Sequence, residues 1–217
     1  SKEKKLNTVY IGGGTPTTLE ADQLDRLLTH MEETFSYEEL KEFTVEAGRP
    51  DSITREKLEV LRKHKISRIS VNPQTMQQKT LDVIGRKHTV QDVIDIFHMA
   101  RELGFENINM DLIAGLTGEH LSDMKDTLER IKELEPDSLT VHSLAIKRAA
   151  RLGKTEGFRE QLSTAEELSQ MIELAADFAA EMELVPYYLY RQKNIAGNFE
   201  NVGYAKVDKA GIYNILI

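Results

Sequence analysis

Apolar and polar positions along this chain fall into two alternating rhythms. Short runs rich in β-branched and aromatic residues, at 8–11, 42–47, 67–72, 107–113, 138–143 and 185–191, predict strands. Between them, stretches at 19–35, 54–64, 89–103, 120–134 and 164–183 repeat their apolar positions every three or four residues and predict helices. The punctuation agrees. Thr17 and Thr18 are candidate caps of the first helix and Thr54 of the second, Gly104 is a stop signal for the third, and Pro136 lies past the end of the fourth. Thr164-Ala165-Glu166-Glu167 opens the fifth with a sequence close to a capping box. Strand–helix alternation predicts an α/β fold with βα units around a parallel sheet. Six strands with right-handed crossovers fit either an open doubly wound sheet or part of a barrel, and periodicity does not separate the two. The stretch 147–161 breaks the rhythm with Lys, Arg and Gly and reads as an exposed insertion.

Bulk properties narrow the function. With 217 residues, 40% of them hydrophobic, the chain makes one α/β domain or a large part of one. A formal charge of −8 lacks the basic footprint that a nucleic acid or an anionic membrane requires. No run of about 18 apolar residues and no charged-then-apolar leader is present, so neither a membrane span nor a secretory signal is read and a cytoplasmic location is expected. Cysteine is absent, which excludes disulfides, thiolate nucleophiles and thiolate metal sites within these residues. The chain opens at Ser1-Lys2-Glu3-Lys4-Lys5 and stops at Asn214-Ile215-Leu216-Ile217, so both ends read as cuts in a longer protein.

In βα folds, the side chains that meet ligands sit at the carboxyl ends of strands. Here those ends carry unusual residues. The first strand runs into Gly12-Gly13-Gly14-Thr15-Pro16, the second ends at Glu46-Ala47-Gly48, and the third at Asn72-Pro73-Gln74. The fourth ends in Asp111 to Gly115 and the fifth in His142-Ser143-Leu144-Ala145. Three glycines in a row either permit a tight connection or let backbone groups approach a polar ligand. They form neither GxGxxG nor a P-loop, because no Gly-Lys-Ser/Thr follows. Glu46 and Asp111 are carboxylates in strand-like surroundings, candidates for ligand hydroxyls or an ammonium, or else partners of a neighbouring Arg. Gln74 offers a donor and an acceptor. Arg86 offers a guanidinium fork suited to a carboxylate, and by itself also reads as a surface charge. The six histidines show no HxH or HExxH spacing, so no metal site is predicted.

The stretches VYIGGGTPTTL, FTVEAGRPDSI, ISRISVNPQTM, LDVIGRKHT, FENINMDLIAGLTGE and PDSLTVHSLA carry a resemblance in order and spacing. The chain resembles the oxygen-independent coproporphyrinogen III oxidase family of radical S-adenosylmethionine enzymes. Its tail PYYLYRQKNIAGNFENVGYA is similar to the Firmicute-type second-oxidase branch. The resemblance implies an incomplete parallel (β/α) barrel of five or six strands whose first βα unit is missing. It implies a division at 1–191 for the partial barrel and 192–217 for the start of a carboxy-terminal extension. The cofactors implied are S-adenosylmethionine and a four-iron four-sulfur cluster on a CxxxCxxC loop, expected upstream of this chain. Residues matching family ligands of S-adenosylmethionine are Gly13, Gly14, Thr15, Glu46, Gln74, Arg86, Asp111 and Ala145, with some of them serving a second molecule. One departure stands out: many relatives carry Gly-Val-Gln where this chain has Asn72-Pro73-Gln74.

The activity implied is radical oxidative decarboxylation of coproporphyrinogen propionates to vinyl groups, in an oxidoreductase of porphyrin and haem biosynthesis. Its partners would be a tetrapyrrole substrate and an electron-donor protein, and the chain alone is expected to be inactive. Two alternatives stand beside this. Close relatives are haem-binding chaperones without oxidase activity, for which His64, His88 and His142 are the iron ligands to inspect. A nucleotide-binding α/β enzyme would use the glycine loop for phosphate, against which the missing Lys and the acidic strand ends weigh.

Overall fold

The computed structural model describes residues 5–144, 163–190 and 201–216. The exposed insertion expected at 147–161, together with Ala145, lies outside them. Strands are β1 Thr8–Ile11, β2 Glu42–Gly48, β3 Arg68–Gln74, β4 Ile108–Ala114, β5 Ser138–Ser143, β6 Val185–Tyr190 and β7 Asn201–Ala205. Helices are α1 Ala21–Thr34, α2 Arg55–Lys63, α3 Gln78–Val83, α4 Val90–Glu102, α5 Leu121–Leu134, α6 Ala165–Glu181 and α7 Ile212–Leu216. The strands form one seven-stranded sheet in the order β1-β2-β3-β4-β5-β7-β6. By backbone contacts the chain divides into two compact units: Ser1–Asn72 with Gln91–Asn109 and Gly211–Ile217, and Pro73–Val90 with Met110–Ala210.

In the first unit, β1 pairs with β2 and β2 with β3, all parallel. Phe43, Val45, Ile69 and Val71 are buried on these strands, and the helices present matching stripes. Leu24 and Leu28 of α1, Leu58 and Leu61 of α2, and Val93, Phe97 and Ala100 of α4 are buried at the spacing that puts side chains on one helical face. Each fully buried Leu contributes about 1.5–3 kcal/mol over leaving it exposed. Thr54 caps α2, accepting the Lys57 N–H at 3.3 Å, as the sequence predicts. Thr17 and Thr18 are not caps of α1. With Pro16 they form a 3₁₀ turn, and α1 begins at Ala21, where Gln23 Oε1 accepts the Glu20 N–H at 3.0 Å.

The edge at β1 is lined by α7. The buried Glu42 carboxylate accepts N–H bonds from Ile212 at 2.6 Å and Tyr213 at 3.2 Å, and Tyr213 stacks on Tyr10 with centroids 4.4 Å apart. Backbone donors at a helix start are orphans, and a carboxylate suits them.

In the second unit, α6 packs on α5 and on β5 through Leu168, Met171, Ala175 and Phe178. Lys132 on α5 bridges to Glu181 at 2.6 Å while its amine lies over the Phe178 ring. Thr164 caps α6, accepting the Glu167 N–H at 3.1 Å. The sheet departs from the all-parallel expectation here. β7 runs antiparallel to both β5 and β6 and lies between them, which makes seven strands and a mixed sheet. Only ten residues separate Tyr190 from Asn201, too few for the crossover a parallel neighbour requires. Gly203 sits where a Cβ would meet Tyr187 Cε1 at 3.2 Å and Tyr188 Cβ at 3.3 Å, so β7 passes close beneath the tyrosines of β6.

Candidate functional site

Each unit carries its own share of the residues singled out in the sequence. In the first, the turn after β1 works by three different glycines. At Gly12 a Cβ would collide with the Tyr10 ring and the Glu46 carboxylate, so a side chain here would force both to shift. Gly13 and Gly14 are exposed, with φ of +82° and +74°, and an added Cβ would meet nothing within 4 Å. They are required for backbone conformation.

Glu46 faces this turn because β2 bulges. Register runs Val45 to Ile69 and then Gly48 to Val71, so Glu46 and Ala47 together oppose Ser70. A bulge re-aims a side chain and twists its strand. Glu46 Oε2 accepts the Gly13 N–H at 3.2 Å, and Oε1 accepts the Tyr10 hydroxyl. The carboxylate is half-buried and held by two donors. Thr15 is half-buried, its carbonyl accepting both the Thr18 N–H at 2.9 Å and the Thr18 hydroxyl at 2.7 Å. Below it, the buried Lys57 amine donates to the carbonyls of Thr17 at 2.8 Å and Ser52 at 3.2 Å, pinning the turns that follow β1 and β2.

In the second unit, Gln74 ends β3 with φ +71°, a left-handed conformation uncommon outside glycine. It is half-buried. Arg86 is also half-buried. It follows Gly85, whose φ is +69°, in the link between α3 and α4, and its backbone N–H donates to the Leu81 carbonyl at 2.8 Å. Asp111 lies on β4 with its side chain mostly covered, and Oδ2 is 4.0 Å from His142 Nε2 on β5. The structure thus joins Gly13 to Glu46 within the first unit and Asp111 to His142 within the second.

A buried carboxylate that the sequence did not mark lies in the loop after β4. Glu119 accepts the Thr75 hydroxyl at 2.6 Å, and burial pushes its carboxyl above the ordinary value. Asp123 on α5 pushes it further, while hydrogen bonds from Thr75 and Thr80 and the charge of Lys79 on α3 pull it back. A carboxyl raised on folding stabilises the fold below its unfolded value near 4.5, and that contribution is lost as pH rises through the folded value. Glu119→Gln is therefore expected to gain stability over the wild type as pH climbs from about 4.5 toward neutrality. Chemical denaturation across that range checks it, and parallel profiles at every pH would contradict it.

Two of the histidines to inspect as iron ligands, His64 and His88, are engaged otherwise. His64 is buried with Nδ1 2.9 Å from Glu32 Oε1 and Nε2 2.8 Å from Asp25 Oδ1, clamping α2 to α1. Lys63 and His64 beside Asp25 hold its carboxyl below the ordinary range. His88 is buried with Nε2 3.4 Å from the Pro73 carbonyl. Among the described residues no group of three or more His, Cys, Asp or Glu side chains is placed to hold a metal ion, and no helix is long and apolar enough to cross a membrane.

Sequence reasoning missed Tyr10, Lys57 and Glu119. Tyr10 carries a weak signal, since it stands two residues before the glycines on the same strand. Lys57 and Glu119 carry none, because a charged residue in a helical or loop pattern reads as solvated.

Comparison with known proteins agrees with these elements. Residues 1–131 match the model of the Radical SAM superfamily. Over 214 residues the chain is 49% identical to the oxygen-independent coproporphyrinogen-III oxidase-like protein HemZ of Bacillus subtilis, covering 98% of this chain and 42% of that protein. It is 42% identical over 143 residues to the heme chaperone HemW of Lactococcus lactis, covering 66% of this chain and 38% of that one. Among solved structures, the coproporphyrinogen III oxidase HemN of Escherichia coli, described as a radical SAM enzyme, superposes with a TM-score of 0.78 at 25% identity. That match covers 94% of this chain and 44% of the other, and it shows the α/β fold to be an incomplete barrel of the same type. The chain spans about two-fifths of the length of the curated relatives it matches.

Proposed function

We propose a function from one premise: the chain belongs to the radical S-adenosylmethionine superfamily. Within it, the chain forms the cofactor-binding core of an oxygen-independent coproporphyrinogen III oxidase, an oxidoreductase of porphyrin and haem biosynthesis acting in the cytoplasm. The observation that carries this reading is the Tyr10–Glu46–Gly13 arrangement beside two exposed left-handed glycines. Its chemistry fits the ammonium end of an amino acid: a half-buried carboxylate, held in place by two donors, that can accept from the ammonium group. The residues that would hold S-adenosylmethionine, by the family resemblance, are Gly13, Gly14, Thr15, Glu46, Gln74, Arg86 and Asp111, with Ala145 beyond the described residues.

When bound and reduced, the cofactor pair of this family supplies radical hydrogen abstraction. The substrate change is conversion of a propionate side chain to vinyl with loss of carbon dioxide, one hydrogen atom, which the bound cofactor would take up, and one electron, which would pass to a one-electron acceptor of the larger enzyme. The residues of this chain bind, orient and exclude water, and none forms a nucleophile dyad. The four-iron four-sulfur cluster does not fit these residues, because thiolates hold such clusters and the sequence has no cysteine. The chain alone is accordingly inactive, and an electron-donor protein and a tetrapyrrole are partners of the larger enzyme.

Similarity to the heme chaperone HemW supports a second reading, in which the same barrel delivers haem without oxidising a porphyrinogen. A haem titration separates the two, since only the chaperone reading expects a saturable shift of the Soret band.

S-adenosylhomocysteine is expected to bind the chain in calorimetry while ADP does not. A nucleotide enzyme using the glycine loop for phosphate would show the reverse.

A further inference from the structure

We propose that Glu119 is a positioning residue that holds the turn after β3, and with it Gln74, in its ligand-facing conformation. The inference rests on the reading of Gln74 as a cofactor contact and lies wholly within the second unit. Gln74 adopts φ +71° with a side chain on its Cα, a strained conformation that persists only where the surroundings over-determine it.

Those surroundings are the next three residues. The Thr75 hydroxyl donates to Glu119 Oε1 at 2.6 Å and accepts the Gln77 N–H at 3.1 Å. The Met76 N–H donates to Thr127 Oγ1 on α5 at 3.2 Å, and Gln77 Nε2 donates to Asp126 Oδ2 at 2.6 Å. Glu119 is itself fixed, its N–H donating to the Leu116 carbonyl at 3.0 Å and its own carbonyl accepting the Ser163 hydroxyl at 3.3 Å.

A carboxylate 2% exposed is an expensive way to satisfy one threonine, because Thr127 Oγ1 already lies 3.3 Å from the same hydroxyl. What the carboxylate adds is a second fixed point: through Thr75 it ties the turn to the loop after β4. Glu119 touches no reacting group. It acts through Thr75 on the residue beside it.

A double-mutant cycle tests the inference. Gln74→Gly removes the left-handed penalty and is expected to raise the unfolding midpoint by roughly 3 °C in the wild type. In a Glu119→Met background the turn relaxes, and that gain falls to less than half. Affinity for S-adenosylhomocysteine drops about tenfold in Glu119→Met, although removal of a buried charge leaves the fold as stable as before or more so. Glu119→Gln keeps an acceptor for Thr75 and restores binding to within about threefold. A merely structural carboxylate would lose affinity only in step with stability. Additive midpoints, or equal binding of S-adenosylhomocysteine by wild type and Glu119→Met, overturn the inference. If the wild type binds none while the midpoints remain coupled, the cofactor reading fails and the positioning of Gln74 stands.

Discussion

Anaerobic reconstitution of the 217-residue chain with iron and sulfide is expected to leave it without a stoichiometric cluster and without its visible absorbance. The reason is ligand chemistry. Iron–sulfur clusters are held by cysteine thiolates, occasionally with histidine replacing two of them, and this sequence has no cysteine. Histidine cannot make up the difference, since His64 and His88 are buried in hydrogen bonds of their own and no metal-binding group is formed among the described residues. Iron and sulfide assays with an absorbance spectrum are the measurement. Stoichiometric uptake would show that these residues do hold a cluster, and the account of the chain as inactive alone would fall with it.

Arg86→Ala and Asp111→Asn are each expected to raise the dissociation constant for S-adenosylhomocysteine by about tenfold to a hundredfold. The magnitude follows from the contribution of a charge-assisted hydrogen bond, on the order of 1.5–3 kcal/mol. Arg86 is half-buried and follows Gly85, and in the proposed reading its guanidinium fork would meet the methionine carboxylate. Asp111 is a largely covered carboxylate in the middle of β4, which in the proposed reading would accept from ribose hydroxyls or lie near the sulfonium sulfur. The competing role for Asp111 is structural, as a partner of His142 at 4.0 Å. Calorimetry with thermal melts separates the two: a ligand residue loses affinity at constant midpoint, whereas a structural one lowers the midpoint. Unchanged affinity in both variants would return Arg86 to the surface and Asp111 to the fold.

Much of the architecture was legible in the chain because it is locally encoded. Apolar residues spaced three and four apart located α1, α2, α4, α5 and α6 to within a few residues, since each had to bury one face on the sheet. Thr54 and Thr164 were readable as caps for a similar reason, as a cap acts on amides two or three residues away. Elements too short for their period to declare itself were not legible. The six residues of α3 complete fewer than two turns, and β7 carries a glycine at its centre that lowers its strand character.

Sequence alone therefore determined the βα alternation, the acidic and glycine-bearing strand ends, and the absence of any thiolate ligand, because each is a property of neighbours along the chain. Tertiary structure decided the rest. The antiparallel place of β7, the bulge that turns Glu46 toward Gly13, the Tyr213 ring on Tyr10, and the Glu119 carboxylate behind Gln74 each join residues tens to hundreds of positions apart. Their cost or benefit depends on burial, register and left-handed backbone angles, which exist only once the distant partner has arrived.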